Sequence, residues 1–374
     1  MKKLCAGLLC LLLLLTSCAP RMHDDDEVVQ KKGETKQEKS IVPSYQLSED
    51  TYKMILPYKT SAARGVILDQ MGNRLDIDEM EEGLRRQSKT VYDPKKYFYQ
   101  EGQYLDKDTV YDLIDDLNPK KDPDGNKKEK EKYFRDHPRY LSHIMEQNYL
   151  SKNDKNNAKL EGISIGLALK SVYKFQAEEG GPYYYEKISK DEMLKHGKKL
   201  AEKVLKEIRG IDELKNVPIL IALYREEDQG SPVPGNYVAK TTVKGNQASI
   251  DNWKNVKEEH VLFPDEKSAD KYFDDNKLIE DFGKEIQDFF PNYVGVIGDG
   301  FYIDEDMKKL TLEIPIEFYG KGEVIGFTQY TYGLIKEMFP DYYDIEVKIT
   351  AHNEVESVIY RSAGGDDPTV HIFD

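Results

Sequence analysis

With 374 residues the chain has material for two domains of ordinary size, and a hydrophobic content of 39% is enough for real cores. No long apolar run occurs after the first twenty residues, which excludes a polytopic membrane protein. Lys and Arg number 54 against 69 Asp and Glu, and the resulting net charge of -15 has the wrong sign for a general affinity toward phosphate backbones, so no nucleic-acid partner is expected.

Residues 1–17 have the three parts of a signal peptide: Lys2 and Lys3, an apolar stretch from Leu4 to Leu15, and small polar residues at the exit. The apolar stretch is too short to span a bilayer. Leu15-Thr16-Ser17-Cys18 reads as a lipobox, the Leu-x-(Ser/Ala/Gly)-Cys pattern of bacterial lipoprotein precursors, with cleavage between Ser17 and Cys18. The Cys18 thiolate is the group there able to accept a diacylglyceryl chain as a thioether. Cys5, Cys10 and Cys18 are the three cysteines, so the body behind the leader carries no thiol for a disulfide, a nucleophile or a zinc site. Loss of Lys2 and Lys3 makes the mature chain still more acidic, and membrane attachment must rest on the acyl chains of Cys18. The expected location is the extracellular face of the cell membrane.

Residues 20–48 are polar and charged with almost no apolar period, and predict a disordered tether. From Tyr52 to Leu117 helices and loops are expected; Asp76 to Glu82 form an acidic first turn for a helix reaching Arg85 and Arg86, its charges on a solvated face. Asn118 to Lys132, with Pro119, Pro123 and Gly125, reads as a loop. Tyr140, Leu141, Ile144, Met145 and Tyr149 follow at helical spacing. From Gly162 the period changes to two, and Ile163, Ile165, Leu167 and Leu169 mark a strand running to about Phe175. Ser189 and Glu192 form a capping box for a helix ending before Gly210, and strands are expected at Val217–Tyr224 and Asn236–Val243.

The order then recurs. Leu310, Leu312, Ile314 and Ile316 alternate as a strand, Val324 to Met338 make a helix, and Ile345–Thr350 and Ser357–Arg361 make two more strands. The predicted fold is α+β: two related domains, each a small sheet with packed helices in a strand-helix-strand-strand order, after the N-terminal tether. The expected division is 1–17 signal peptide, 18–48 lipidated flexible tether, 49–235 N-terminal domain and 236–374 C-terminal domain.

Gly162-Ile163-Ser164-Ile165-Gly166 matches the G-x-S-x-G elbow of serine hydrolases, but apolar alternation runs on through Ser164 where an elbow needs a sharp turn, so a plain strand is favoured. Gly320-Lys321-Gly322 with Gly326 is one residue longer than G-x-G-x-x-G and reads as a tight turn opening a helix. His23, His137, His143, His196, His260, His352 and His371 include no i, i+4 pair, and no metal motif is present; neither a metal nor a cofactor is expected. The 26 Tyr cluster in Tyr97-Phe98-Tyr99, Tyr183-Tyr184-Tyr185 and Tyr342-Tyr343, suited to peptide or carbohydrate contact but more often to packing at the edge of a sheet.

Leu56-Pro57-Tyr58-Lys59 with Ala63-Arg64-Gly65, the run Tyr99-Gln100-Glu101-Gly102-Gln103-Tyr104-Leu105-Asp106, Tyr140-Leu141-Ser142 with Glu146-Gln147, Ile165-Gly166-Leu167-Ala168 with Ser171-Val172-Tyr173, and Ile325-Gly326-Phe327-Thr328-Gln329-Tyr330 together resemble the CamS family of sex-pheromone lipoproteins of low-GC Gram-positive bacteria. The resemblance implies a lipid-anchored precursor handled by a diacylglyceryl transferase and by signal peptidase II. It also implies that the shed signal peptide is trimmed to a short hydrophobic peptide sensed by a receptor of bacteria carrying conjugative plasmids. Carried onto this chain, that peptide is Leu11-Leu12-Leu13-Leu14-Leu15-Thr16-Ser17. The resemblance supplies no catalytic residue, and the body is expected to be a non-enzymatic binding or envelope-interaction module. The alternative is a cell-envelope hydrolase acting on peptide or glycan through carboxylates as acid and base.

Overall fold

The computed structural model describes residues 27–32, 36–66, 72–153, 155–318 and 320–373. Two mixed sheets organise them. The first has seven strands, in the order Lys254–Asn255, Asn236–Val243, Ile219–Arg225, Ala158–Leu169, Leu141–Lys152, Phe98–Glu101 and Lys53–Met54. At its centre Ala158–Leu169 and Ile219–Arg225 run parallel, which requires a crossover, and the helix Lys190–Ile208 provides it. Leu141–Lys152 and Asn236–Val243 flank that pair antiparallel. The second sheet repeats the arrangement: Asp306–Pro315 and Asp344–Ala351 are parallel across the helix Lys321–Met338, with Ile297–Ile303 and Glu354–Arg361 antiparallel on either side. Glu258–Phe263 and Thr369–Ile372 form its edges. Both halves therefore hold the strand-helix-strand-strand unit expected from the alternation of Ile163 to Leu169 and of Leu310 to Ile316.

Several local expectations differ: among them, the strand expected to run to about Phe175 ends at Leu169, and Val172–Gln176 is a separate strand of a hairpin. Of Tyr140 to Tyr149, expected as a helix, all but Tyr140 belong to the strand Leu141–Lys152. The cause is burial on both faces: the apolar residues keep no period of two because Ser142, His143, Glu146, Gln147 and Asn148 are buried too, each bonded to a distant residue. Within the expected loop 118–132 a helix begins, Lys127–Asp136, opened by an Asn126–Glu129 capping box and tied by the i, i+4 pair Glu131–Arg135. Part of the expected tether is paired as strands Glu27–Lys32 and Lys36–Ile41. Val28 and Val42 anchor it in a small cluster with Ile55 and Leu150. The expected junction between residues 235 and 236 falls inside the first sheet, since Asn236–Val243 bonds to Ile219–Arg225; the chain passes from one sheet to the other between Asn255 and Glu258.

The first sheet is covered on both sides. Ile163, Ile165, Leu167, Leu169, Ile219, Ile221 and Leu223 face the helices Lys190–Ile208 and Lys107–Leu117 in one core. The opposite side holds Tyr52, Tyr92, Tyr99, Tyr149, Tyr224 and Tyr237 with Met80 and Leu84 of the helix Ile77–Ser88. That helix opens at Asp76, whose carboxylate caps Glu79 N–H at 3.1 Å. Some of these hydroxyls reach backbone carbonyls: Tyr92 Oη donates to Ile163 O or Pro218 O, each at 3.0 Å, and Tyr237 Oη to Met80 O at 2.9 Å. Tyr92 stacks on Tyr149 with ring centroids 4.4 Å apart.

The strand beneath must be thin to admit these rings. A Cβ on Gly162 would lie 2.3 Å from Tyr92 Cε1, and one on Gly166 2.7 Å from Tyr237 Oη. Gly162→Ala, ordinarily neutral or favourable inside a strand, is therefore expected to destabilise by about 1–3 kcal/mol through overpacking. Urea titration checks it, and an unchanged midpoint would contradict the ring-over-glycine packing.

Candidate functional site

Cys18, the lipobox Leu15 to Cys18 and the peptide Leu11 to Ser17 lie outside the described residues. Of the other sequence candidates, Ser164 is fully buried, its Oγ 2.7 Å from Ser88 Oγ, on a strand that continues straight to Leu169. The two glycines around it serve the tyrosine layer. Gly320 sits before the first turn of the helix Lys321–Met338, the tight opening expected there. Among the tyrosine clusters, Tyr99 and Tyr343 are buried, whereas Tyr183 and Tyr185 stand 46% and 56% exposed on a hairpin with Lys174 Nζ 4.3 Å from the Tyr183 ring centroid.

Two features escape a reading of the sequence. The first is a recess at the end of the strand Phe98–Glu101. Glu101 accepts from Tyr58 Oη at 2.6 Å, from Ser61 N–H at 2.6 Å and from the Arg64 guanidinium. Burial and the bond to Glu101 push the Tyr58 hydroxyl up to about 12. Beside it the carboxylate of Glu146 accepts the successive N–H groups of Gln103, Tyr104 and Leu105, the last at 2.7 Å. Burial drives the Glu146 carboxyl above its ordinary range against the pull of those N–H groups. The recess leaves about 30 Å³, room for one or two waters. With their oxygens held by such donors, Glu101 and Glu146 tie loop to sheet.

The second feature joins the sheets. Arg86 grips Glu258 in a fork, Nε to Oε1 at 2.8 Å and Nη2 to Oε2 at 3.0 Å, and Nη2 also reaches Glu79 Oε1 at 2.9 Å. Its guanidinium lies 4.3 Å from the ring centroid of Phe301, a residue of the second sheet. His260 completes the set, Nε2 3.4 Å from Glu79 and Nδ1 3.2 Å from Asp299. Burial alone would lower the His260 pKa; the hydrogen bond to Asp299 and the two facing carboxylates, Asp299 and Glu79, outweigh it and raise the value to about 9. Glu79 and Arg86 were expected on a solvated helix face. They instead meet the second sheet, and the only signal in the sequence was an acidic turn followed by two arginines.

Beside this latch the sheets leave a groove of about 850 Å³. One wall is the loop Ser231 to Pro234 with Arg225 and Glu227; the other is the edge strand Glu258–Phe263, with Lys271, Tyr272 and Tyr302 beyond it. Tyr272 stacks on Tyr302 at 4.0 Å and donates to Glu259 Oε2 at 3.1 Å. The size is that of a ligand site, and the lining mixes apolar, aromatic and charged groups. No helix among the described residues is long and apolar enough to cross a membrane.

The two-sheet architecture is that of known pheromone precursors. A sex pheromone precursor from Lactobacillus salivarius subsp. salivarius UCC118 superimposes with a TM-score of 0.79 at 28% identity, over 88% of this chain and 98% of its own. The C-terminal domain of the sex pheromone staph-cAM373 precursor from Staphylococcus aureus gives 0.69 at 29% identity, over 82% and 99%. The model of the CamS sex pheromone cAM373 precursor family matches residues 58–367, and the chain belongs to that family. No curated protein matches it.

Two measurements test the latch. Arg86→Ala leaves the buried Glu258 carboxylate without its cation and is expected to cost about 3–5 kcal/mol, with Glu258→Gln in the same chain recovering part of the loss. Because the folded pKa of His260 lies above the value of about 6.5 for a free imidazole, its contribution is complete below pH 6.5 and is lost as pH rises through about 9. The unfolding free energy of the native chain relative to His260→Gln should fall between pH 7 and 10. A pH-independent difference would contradict the assignment.

Proposed function

We propose that this chain is made as a lipoprotein precursor with two products. Signal peptidase II cuts between Ser17 and Cys18, diacylglyceryl-Cys18 holds the body on the extracellular face of the membrane, and the leader is trimmed to Leu11–Ser17, a hydrophobic peptide for a pheromone receptor. The body is a binding or envelope-interaction module with the inter-sheet groove as its seat. The observation that carries this reading is the family match over residues 58–367 in a chain whose first residues hold Leu15-Thr16-Ser17-Cys18.

Physical chemistry supports each part. A thioether-linked diacylglyceryl group supplies two acyl chains, enough for stable anchoring where one chain is marginal and an acidic body gives no electrostatic help. A seven-residue apolar peptide partitions through membranes and loses little chain entropy in a closed pocket. The hydrolase alternative draws no support from the recess, where Glu101 and Glu146 are taken up by loop donors.

Mass spectrometry of culture medium and membranes from cells expressing the intact gene is expected to find a Leu11–Ser17 peptide in the medium and diacylated Cys18 in the membrane. Cys18→Ala should release the body from the membrane fraction. Membrane-bound, mature Cys18→Ala protein would refute the anchor, and lipidated Cys18 without the peptide would refute the signalling product.

A further inference from the structure

The chain enters the body at one end of the first sheet. Val29 N–H donates to Asn156 O at 2.8 Å, in the turn that joins Leu141–Lys152 to Ala158–Leu169, and Val28 is buried beside it. Ile41 then pairs with Leu56 through two backbone bonds of 2.8 Å, antiparallel, which sends the chain back toward the same end. Lys53 Nζ reaches Ser44 O there at 2.8 Å, and Lys53 lies opposite Phe98, itself paired with Leu150. The loop that follows turns its polar groups inward. Gln46 Nε2 donates to Thr51 O at 2.6 Å and Ser48 Oγ lies 2.7 Å from Thr51 Oγ1, while Tyr45 and Leu47, on either side of Gln46, stand 91% and 93% exposed. No other large apolar side chain among the described residues is so bare. One exposed apolar residue is ordinary, but a loop braced to hold two of them outward at the point of chain entry is not.

We infer that this end of the first sheet rests on the lipid bilayer, with Tyr45 and Leu47 inserted at the level of the headgroups. This contact rests on the Cys18 anchor proposed above and deepens it. Two observations name the bilayer as the partner. The first is length. Only residues 19–26 separate Cys18 from Glu27, where the paired segment begins, and they span at most about 30 Å whatever their conformation. The strand Ala158–Leu169 alone is about 40 Å long, so the anchor holds the Tyr45 loop, and not the opposite end of the sheet, beside the membrane. The second is side-chain chemistry. A tyrosine and a leucine set among Lys53, Lys95, Lys96, Lys152, Lys155 and Lys159 suit a membrane–water interface, with ring and alkyl groups below the headgroups and ammonium groups among them. Glu49, Asp50, Asp93, Glu161 and, in the sequence, Asp154 nearly balance these lysines, so this end escapes the repulsion from anionic lipid that a net charge of -15 imposes on the whole chain. Because the acyl chains already hold the protein, insertion of two side chains is an intramolecular step that needs little free energy of its own.

The body behind Cys18 has no cysteine, so one added thiol places a fluorophore on the lipidated protein. The mature lipoprotein, acylated at Cys18, is reconstituted in vesicles of phosphatidylglycerol and phosphatidylcholine that carry headgroup-attached spin labels. The fluorophore sits at Lys155→Cys, in the turn beside the loop, or at Tyr183→Cys, on the hairpin that follows the other end of Ala158–Leu169. Quenching at least twofold stronger at 155 than at 183 is expected. Tyr45→Ser with Leu47→Ser, at two sites too exposed to matter for folding, should cut the quenching at 155 at least twofold while the protein still floats with the vesicles. Equal quenching at 155 and 183 would overturn the docked end and leave the anchor standing, as would quenching at 155 that the two serines do not change. Protein that does not float with the vesicles would overturn the anchor and this contact together. A dimer in detergent that the two serines dissociate would overturn the bilayer in favour of a second copy on the loop.

Discussion

A sheet covered on both faces has no solvent side, and that constraint shapes the N-terminal half of this protein. The strands Leu141–Lys152 and Ala158–Leu169 are buried nearly throughout, so their polar groups must find partners inside the molecule. Ser142 bonds to Glu226, Gln147 to the carbonyl of Glu81, and Glu146 to three successive loop N–H groups. The loops around the sheet are pinned by these bonds. The second covering layer is built of tyrosine, whose ring supplies apolar area; the hydroxyls of Tyr92 and Tyr237 answer backbone carbonyls, and that of Tyr149 reaches the Gln147 side chain. Such rings demand small residues beneath them, and Gly162, Ser164, Gly166, Ala168 and Ala222 provide the space.

The same layer couples the two halves. Ile77–Ser88 presents Met80 and Leu84 to the tyrosines and Glu79 and Arg86 to the second sheet. One helix thus closes the first core and holds the second unit by a charged contact that is nearly buried, Glu258 being 1% exposed. A buried ion pair adds little net stability over an apolar contact of the same size, but it fixes geometry, since a displaced partner leaves an unpaired charge. Fixing the sheets at this point also fixes the width of the adjoining groove, which lies between Arg225 and the Pro232–Pro234 loop on one side and the edge strand on the other.

Much of the fold was readable because one face of each central strand is purely apolar. Ile163 to Leu169 and Leu310 to Ile316 show a clean period of two, the helix Lys190–Ile208 carries its Ser189 cap, and the repeat followed from their order. Leu141–Lys152 was unreadable for the opposite reason: buried polar residues replaced the alternation, and the remaining apolar positions fell by chance at helical spacing. The paired strands Glu27–Lys32 and Lys36–Ile41 are held by Val28 and Val42 packing with Ile55 and Leu150, contacts no local pattern announces. The latch was hidden because Glu79, Arg86, Glu258 and His260 are far apart in sequence and each looks like ordinary surface charge. The G-x-S-x-G run alternates as a strand should, but the purpose of its glycines lies in the Tyr92 and Tyr237 rings packed over them, which no local pattern shows.

In the proposed reading the leader signals and the body binds at the surface, two parts joined only during synthesis. A leader exchange tests that division directly. Residues 1–17 are replaced by the leader of an unrelated lipoprotein, Cys18 and the body are kept, and culture medium is assayed for a mating response by plasmid-bearing recipients alongside surface retention of the body. The account predicts that the response disappears while the body remains anchored and folded. A response that persists with the foreign leader would contradict it and move the signal into the body.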